Sequence, residues 1–148
     1  MQSMRRIRTS ALIRWGAVLA WMTFIFYLSC QPSLPRLTDR LGALQSFAGH
    51  ILEYAVLALL LRWSLAGTMA VGQGNGSGHI TRWAFVIAVA YGITDEVHQH
   101  FVPGRHMDPF DLLTDAAGAA VALWMVGLIR ARRTVTSVAD EGRSADLS

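Results

Sequence analysis

Long apolar stretches alternate with short polar segments along the chain, and arginines stand at most of the boundaries between them. A helix needs roughly 20 predominantly apolar residues to cross the hydrocarbon core of a bilayer. The pattern predicts an all-α integral membrane protein, a bundle of four transmembrane helices over residues 1–133, with spans at about 13–30, 44–62, 82–101 and 110–130. Residues 134–148 are small and polar, and we expect them to form a disordered tail.

Proline and glycine mark the segments between these spans. Gln31–Arg40 contains two prolines and is expected to be a short loop. Leu65–His79 is rich in glycine, which is typical of a flexible connector. Pro103 and Gly104 predict a turn after the third span. Asp108 has the properties of an N-cap, because a proline follows it at the position where proline is favoured in a new helix.

The distribution of arginine predicts the orientation of the spans. Arginines precede the first span, stand on both sides of the glycine-rich connector and follow the fourth span, whereas the other two loops are poorer in net positive charge. Since cytoplasmic loops are enriched in Lys and Arg, we expect both termini to be cytoplasmic. One alternative for the N-terminal stretch is a cleaved signal peptide ending before Cys30, but the stretch is long for a signal peptide and further spans follow.

Composition excludes several classes of function. Of the 148 residues, 53% are hydrophobic and 16% are charged, which leaves no length for a separate soluble domain. The chain has thirteen arginines and no lysine, so it has neither a Schiff-base lysine nor the phosphate-binding lysine of a P-loop. The arginines are spread along the chain, so nucleic-acid binding is not expected. A single cysteine cannot form an intrachain disulfide.

Acidic and histidine side chains collect at the predicted outer ends of the spans. Counted at about 1.5 Å per residue, His50 and Glu53 lie roughly 8 to 12 Å below the outer surface. Asp95, Glu96 and Asp115 lie roughly 9 to 11 Å deep by the same count. Ionised groups are costly in hydrocarbon, so we expect these side chains to face one another around a polar, acidic cleft that opens outward. The binding residues expected in this cleft are His50, Glu53, Tyr54, Asp95, Glu96, His98, Gln99, Arg105, Asp111 and Asp115.

Two further features bear on this cleft. Arg105 lies in the loop beside the acids, where its guanidinium is expected to pair with a carboxylate or with an anionic ligand. Thr114, Gly118 and Ala122 repeat small residues every four positions in the fourth span. This spacing predicts that a neighbouring helix approaches the fourth span closely.

Three segments resemble the VanZ-like family of bacterial membrane proteins. They are LSCQPSLP after the first span, HILEYAVLALLL in the second, and YGITDEVHQHFVPGRHMDPFDLLTDAAGAA from the third span into the fourth. The resemblance runs from Trp15 to Gly127. The characteristic positions of the family fall on His50, Tyr54, Asp95, Glu96, His98, Gln99, Pro103, Gly104, Arg105, Asp111, Asp115 and Gly118. Many members have an Asp-Lys pair where this chain has Ser46 and Phe47.

The resemblance implies a multi-pass protein of the bacterial inner membrane and implies no particular reaction. The family's namesake is associated with low-level resistance to the glycopeptide teicoplanin. A role in the cell envelope is therefore expected only from the resemblance, and any specific activity has to be argued from the residues of the site.

Three hypotheses for function follow. The first is a membrane protein whose cleft binds a lipid-linked or anionic envelope component and affects teicoplanin susceptibility. The second is a membrane-embedded hydrolase or transferase for a lipid-linked substrate, with His98 or Glu96 as general base and Asp95 or Asp115 orienting the histidine or holding a metal. The third is a proton-coupled transporter subunit, which four spans would form only as an oligomer.

A purely structural role is the fourth alternative, in which the polar side chains lock the helices together. The sequence specifies no cofactor. His50, Glu96 and His98 would suit a divalent metal such as zinc or manganese, but the HExxH spacing of metalloproteases is absent.

Overall fold

The computed structural model describes the backbone of residues 2–31, 39–69 and 76–145, and the side chains of residues 10–31, 47–69, 77–133 and 136. This part of the chain forms four helices: α1 Gln2–Ser29, α2 Asp39–Met69, α3 Gly76–Gln99 and α4 Pro109–Ala145. Its described residues contain no β-strand. The prediction of an all-helical protein is confirmed.

The four helices pack as an antiparallel bundle with two chemically different ends. We call one the polar end: there the C-terminal turns of α1 and α3 meet the N-terminal halves of α2 and α4, as the bonds Ser29–Asp95 and His50–Asp115 establish. The other is the arginine end, where Arg14 of α1 contacts Trp63 of α2 and Arg130 of α4 contacts Ser77 of α3. The start of α1 and the later part of α4 therefore belong to the same end of the bundle.

Small and aliphatic side chains fill the centre of the bundle, and large apolar side chains cover its outside. The buried core consists of Val18, Ile25, Tyr54, Leu57, Ala58, Leu61, Leu65, Ala84, Ala88, Ala119 and Leu123. Leu12, Leu52, Trp83 and Trp124 are each more than half exposed. A surface with so many large apolar side chains is suited to lipid rather than water.

Three helices are long and apolar enough to cross a membrane, over Ser10–Ser29, Phe47–Met69 and Pro109–Arg133. These correspond to the first, second and fourth predicted spans. The described part of α3 does not meet the same criterion, because polar residues occupy both of its ends: Ser77, His79 and Arg82 at the start, and Asp95 to Gln99 at the finish.

α2 and α4 approach one another closely at Gly118. A Cβ atom placed on Gly118 would overlap the carbonyl oxygen of Ile51 and lie 2.9 Å from its Cα. No residue larger than glycine fits this crossing without moving a backbone. The close approach predicted from the small-residue repeat around Gly118 is confirmed.

The helices are longer than the predicted spans. α2 continues to Met69 and α3 begins at Gly76, so the expected connector Leu65–His79 is helical at both of its ends. α4 continues to Ala145, although residues from 134 onward were expected to be disordered. Neither proline nor glycine interrupts the sequence between Gly127 and Gly142, which allows the helix to extend. Residues 32–38 of the expected first loop, 70–75 of the connector and 146–148 of the tail lie outside the described residues.

The turn between α3 and α4 has the predicted form. Gly104 has a φ of 80°, a left-handed conformation that glycine adopts without steric cost. Asp108 caps α4, since its Oδ1 accepts a hydrogen bond of 2.8 Å from the Phe110 amide. The turn and the cap set the direction in which α4 re-enters the bundle.

Candidate functional site

A histidine–carboxylate pair joins α2 to α4 at the polar end. His50 Nδ1 lies 2.9 Å from Asp115 Oδ1, and its Nε2 lies 3.8 Å from Asp111 Oδ2. His50 and Asp115 are both buried. Positions 111 and 115 are one helical turn apart, so both carboxylates face the same imidazole. Removal of either partner would leave the other buried and uncompensated, which destabilises a protein.

Asp95 joins α3 to α1. Its Oδ2 accepts hydrogen bonds from the Ser29 hydroxyl at 2.7 Å and from Gln99 Nε2 at 3.1 Å. Both residues are buried with it. Gln99 follows Asp95 by one turn on the same helix, so its amide and the carboxylate meet on one face. Ser29 is the last residue of α1, which brings the C-terminal end of that helix into the site.

Glu96 joins α3 to the start of α4. Its Oε2 accepts a hydrogen bond of 2.9 Å from the backbone amide of Asp108, the N-cap residue. The carboxylate therefore lies close to the helix N-terminus, where a negative charge is favoured by the helix dipole. Glu96 also interacts electrostatically with His50, Asp111 and Asp115, so it belongs to the same group of charges.

Four buried oxygen atoms at the polar end make no hydrogen bond with the described residues. They are Tyr54 Oη, Asp95 Oδ1, Glu96 Oε1 and Asp115 Oδ2. The exposed fraction is 0% for Tyr54, 4% for Asp95, 3% for Glu96 and 1% for Asp115. Buried polar atoms normally have partners, so a ligand, water or proton that bonds to one of these four atoms would lower the free energy of the site. We call the four side chains together the oxygen cluster.

Gly92 allows Tyr54 and Asp115 of the oxygen cluster to lie close to the backbone of α3. A Cβ atom on Gly92 would lie 3.3 Å from both Asp115 Oδ2 and Tyr54 Cε1. These groups from α4 and α2 therefore approach the same point of the α3 backbone. The Tyr54 ring lies 6.4 Å from that of Tyr91, whose hydroxyl donates a 2.6 Å hydrogen bond to the Met22 carbonyl of α1.

Glu53 lies at the edge of this group. Its backbone carbonyl accepts a hydrogen bond of 2.9 Å from Trp21 Nε1, which ties α2 to α1. Its half-buried carboxylate interacts electrostatically with His50, Asp95, Asp115 and Arg105. Glu53 thus adds a further carboxyl group to the polar end.

His98 lies on the α1 side of the site. Its Nε2 is 3.2 Å from Cys30 Sγ, and its ring centroid is 4.3 Å from that of Phe26. The structure does not record a carboxylate within salt-bridge distance of His98 among the described residues. In the structure, a carboxylate bonds to His50. The sequence hypothesis had expected a carboxylate to orient His98 instead.

Arg105 makes different contacts from those expected of it. Its Nε donates to the Gln31 carbonyl at 3.1 Å and its Nη2 donates to the Leu28 carbonyl at 3.2 Å. Within the described residues it forms no salt bridge with an acid. A cation is favoured at a helix C-terminus, where carbonyl groups lack partners in the helix. Arg105 therefore holds the end of α1, and its Nη1 makes no hydrogen bond with the described residues.

The carboxylates and histidines do not form a metal centre in the described part of the chain. No group of three or more His, Cys, Asp or Glu side chains is arranged there to hold a metal ion. His50, Glu96 and His98, the ligand set considered from sequence, are instead bonded to Asp115, the Asp108 amide and Cys30 respectively.

Sequence reasoning placed the site on three helices and missed the contribution of α1. Ser29 and Cys30 reach the polar residues from the C-terminal end of α1. The count along the predicted first span placed these two residues at its outer end, roughly 9 to 11 Å above the depth expected for the acids of the third span. Their small polar side chains gave no indication of a partner.

Comparison with known families identifies the fold's relatives. The family model described as VanZ/LLP1 matches residues 14–130. No curated protein and no solved structure matches the chain. The matched range contains every residue of the polar end discussed above and all but the outer parts of α1 and α4. The chain is a member of the VanZ/LLP1 family, and its apolar helices make it a membrane protein.

Proposed function

We propose that this protein binds a lipid-linked envelope component at its polar end, from the outer face of the bacterial inner membrane. The observation that carries the proposal is the oxygen cluster: at the polar end, four buried oxygen atoms from three helices have no hydrogen-bond partner among the described residues. Ionisable groups at membrane depth are costly and usually serve a function.

The proposal includes a four-span topology with both termini in the cytoplasm. α3 packs against α1, α2 and α4, which supports its assignment as a membrane span beside the other three. Arg14, Arg62 and Arg130 all lie at the arginine end, where Arg62 Nε donates to Thr81 Oγ1 at 3.3 Å. The positive-inside rule assigns that end to the cytoplasm, and the polar end then faces outward.

The charges of the polar end suit a head group that carries both signs. The acids Glu53, Asp95, Glu96 and Asp115 favour a donor or a positive group on the ligand. Arg105 is partly buried, and its Nε and Nη2 bind the carbonyls of Gln31 and Leu28. Its Nη1 has no hydrogen bond with the described residues, so it is a candidate donor for a phosphate oxygen. A phospholipid- or polyprenyl-linked head group combines these features with an apolar tail that matches the exposed helix surfaces.

Native mass spectrometry of the full chain in mild detergent tests this function. The variants are Asp95→Asn and Glu96→Gln, which keep the side-chain shape and remove the charge. We expect the wild-type protein to carry a lipid-linked species and each variant to lose most of it. His106→Ala is the matched control, because His106 is exposed in the same loop region and should leave binding unchanged.

Three outcomes separate the hypotheses. Loss of the bound species with an unchanged melting temperature supports binding. A lower melting temperature with the same bound species in every variant supports a purely structural network and contradicts the proposal. Wild-type protein that carries no lipid-linked species after reconstitution with extracted envelope lipids also contradicts it.

Teicoplanin susceptibility is the cellular measurement that belongs to this proposal. The support is family membership, and the expected result is a modest rise in the inhibitory concentration when the chain is produced in a susceptible host. The Asp95→Asn variant should remove the rise at equal membrane abundance. An equal rise with the wild type and the variant would show that the resistance effect does not depend on the oxygen cluster.

A second candidate function is hydrolysis or group transfer on a lipid-linked substrate. The observation that favours it is the His50–Asp115 pair, since a carboxylate that orients an imidazole is the usual support of a general base. Product formation from extracted lipid-linked substrates should then stop in His50→Ala and fall in Asp115→Asn. Unchanged substrate after prolonged incubation with folded wild-type protein would eliminate this candidate.

A further inference from the structure

We propose that Cys30 is a nucleophile activated by His98, and that it is a site of covalent modification by soft carbon electrophiles that reach the polar end. The inference concerns a different pair of side chains from the oxygen cluster and does not depend on the ligand proposed above. Cys30 is the only cysteine of the chain, which makes its chemistry directly measurable.

The thiol and the imidazole are held within reach of one another. Cys30 Sγ lies 3.2 Å from His98 Nε2, inside the distance expected for a hydrogen bond to sulfur. The Cys30 amide donates to the Phe26 carbonyl at 3.0 Å, so the residue continues the last turn of α1. The Phe26 ring packs on the His98 ring at 4.3 Å between centroids. One turn of α1 therefore fixes the thiol and also packs against the base.

The surroundings provide a carboxylate on the same helix face as His98. Asp95 precedes His98 by three positions and is buried, with Oδ1 unpartnered among the described residues and Oδ2 bonded to Ser29, the neighbour of Cys30. Cys30 and His98 are both partly exposed, so the pair is not fully enclosed by the bundle.

The reaction is an addition that needs no further reactant. In the tautomer protonated at Nδ1, His98 Nε2 accepts the thiol proton while Cys30 Sγ attacks the β-carbon of an α,β-unsaturated carbonyl compound. The S–C bond forms, the carbon–carbon π bond breaks, and the imidazolium returns the proton to the α-carbon. The adduct then occupies the space between α1 and α3 next to the Ser29–Asp95 hydrogen bond.

The test is the rate of modification of the full chain in detergent by N-ethylmaleimide, followed by intact mass. We expect His98→Ala to slow the reaction at least about tenfold, because general-base assistance is lost. His106→Ala should leave the rate unchanged, since this histidine is exposed and has no part in the thiol contact. Equal rates for wild type and a folded His98→Ala variant would overturn the proposal.

A second measurement covers the case in which His98→Ala does not fold. The double variant His106→Cys/Cys30→Ser carries an exposed thiol at the same end without a recorded histidine contact. Wild-type Cys30 should react faster than this reference although it is less exposed. A slower reaction of Cys30 than of the exposed reference would mean that burial dominates and would likewise overturn the proposal.

Discussion

At the scale of single residues, the polar end is organised by pairs whose members come from different helices. His50 binds Asp115, Ser29 binds Asp95 and Glu96 binds the Asp108 amide. Each pair satisfies one oxygen of a buried carboxylate, and the other oxygen of Asp95, Glu96 and Asp115 has no hydrogen bond within the described chain. The same residues therefore link the helices of the bundle and keep acceptor atoms without a partner in the described chain.

The His50–Asp115 pair can be tested by a double-mutant cycle. His50→Ala leaves the buried Asp115 without its partner, and Asp115→Asn removes the charge that His50 faces. We expect each single change to lower the free energy of unfolding by about 2 kcal/mol, because a buried group loses its partner. The double variant should lose less than the sum, with a coupling energy on the order of 1–3 kcal/mol.

Asp111 supplies the control for this cycle. It lies on the same face of α4, but its Oδ2 is 3.8 Å from His50 Nε2 instead of within hydrogen-bond distance. Asp111→Asn should therefore couple to His50→Ala more weakly than Asp115→Asn does. Additive losses in the Asp115 cycle, measured by denaturant titration in detergent, would show that the 2.9 Å contact contributes no interaction energy of its own.

At the scale of helices, the decisive contact is the crossing of α2 and α4 at Gly118. Without a water-driven hydrophobic effect between membrane helices, association depends on close backbone packing and on interhelical hydrogen bonds. Gly118 lies one turn below Asp115 on the same face. The close approach at Ile51 therefore also sets the distance at which His50 meets Asp115.

Gly118→Ala should separate α2 from α4. The added methyl group would overlap the Ile51 carbonyl, and overpacking of this kind costs roughly 1–3 kcal/mol. Gly127→Ala is the matched control on the same helix, because no atom lies within 4 Å of its Cβ position. We expect a lower melting temperature for Gly118→Ala and little change for Gly127→Ala. Equal melting temperatures for the two variants would contradict the packing described at this crossing.

At the scale of the whole molecule, the two ends of the bundle differ in charge, and this difference is the basis of the proposed topology. The arginine end holds Arg14, Arg62 and Arg130, while the polar end holds the carboxylates. The separation follows from antiparallel packing, since alternate loops fall at opposite ends. A membrane potential and the distribution of anionic lipids then favour one orientation.

Cysteine accessibility in intact cells tests the orientation. In a Cys30→Ser background, His106→Cys reports on the polar end and Ser77→Cys reports on the arginine end. A membrane-impermeant maleimide should label the first from outside and the second only after permeabilisation, because the proposed topology places them on opposite sides of the bilayer. The reverse labelling pattern would place the carboxylates in the cytoplasm and remove the envelope ligand from consideration.

Much of the architecture was predictable because it depends on local chemistry. The lengths of the apolar stretches predicted the helices. Gly104 and Asp108 predicted the turn and the helix cap, and the small residues around Gly118 predicted a close helix crossing. The contacts of Arg105 were not predictable from charge alone. A guanidinium can compensate a carboxylate or a helix C-terminus, and only the position of α1 decides that Leu28 and Gln31 provide its partners.

By itself, the sequence determined a helical membrane protein and predicted that the acids of its second, third and fourth spans lie near one depth, since depth follows from the rise per residue and buried charge is costly. The tertiary structure decided which of those residues meet. The rotation and crossing angles of the helices place His50 against Asp115 and Cys30 against His98. They also bring Ser29 of α1 into contact with Asp95. Depth is fixed by counting along one helix, whereas partners are fixed by how helices pack against one another.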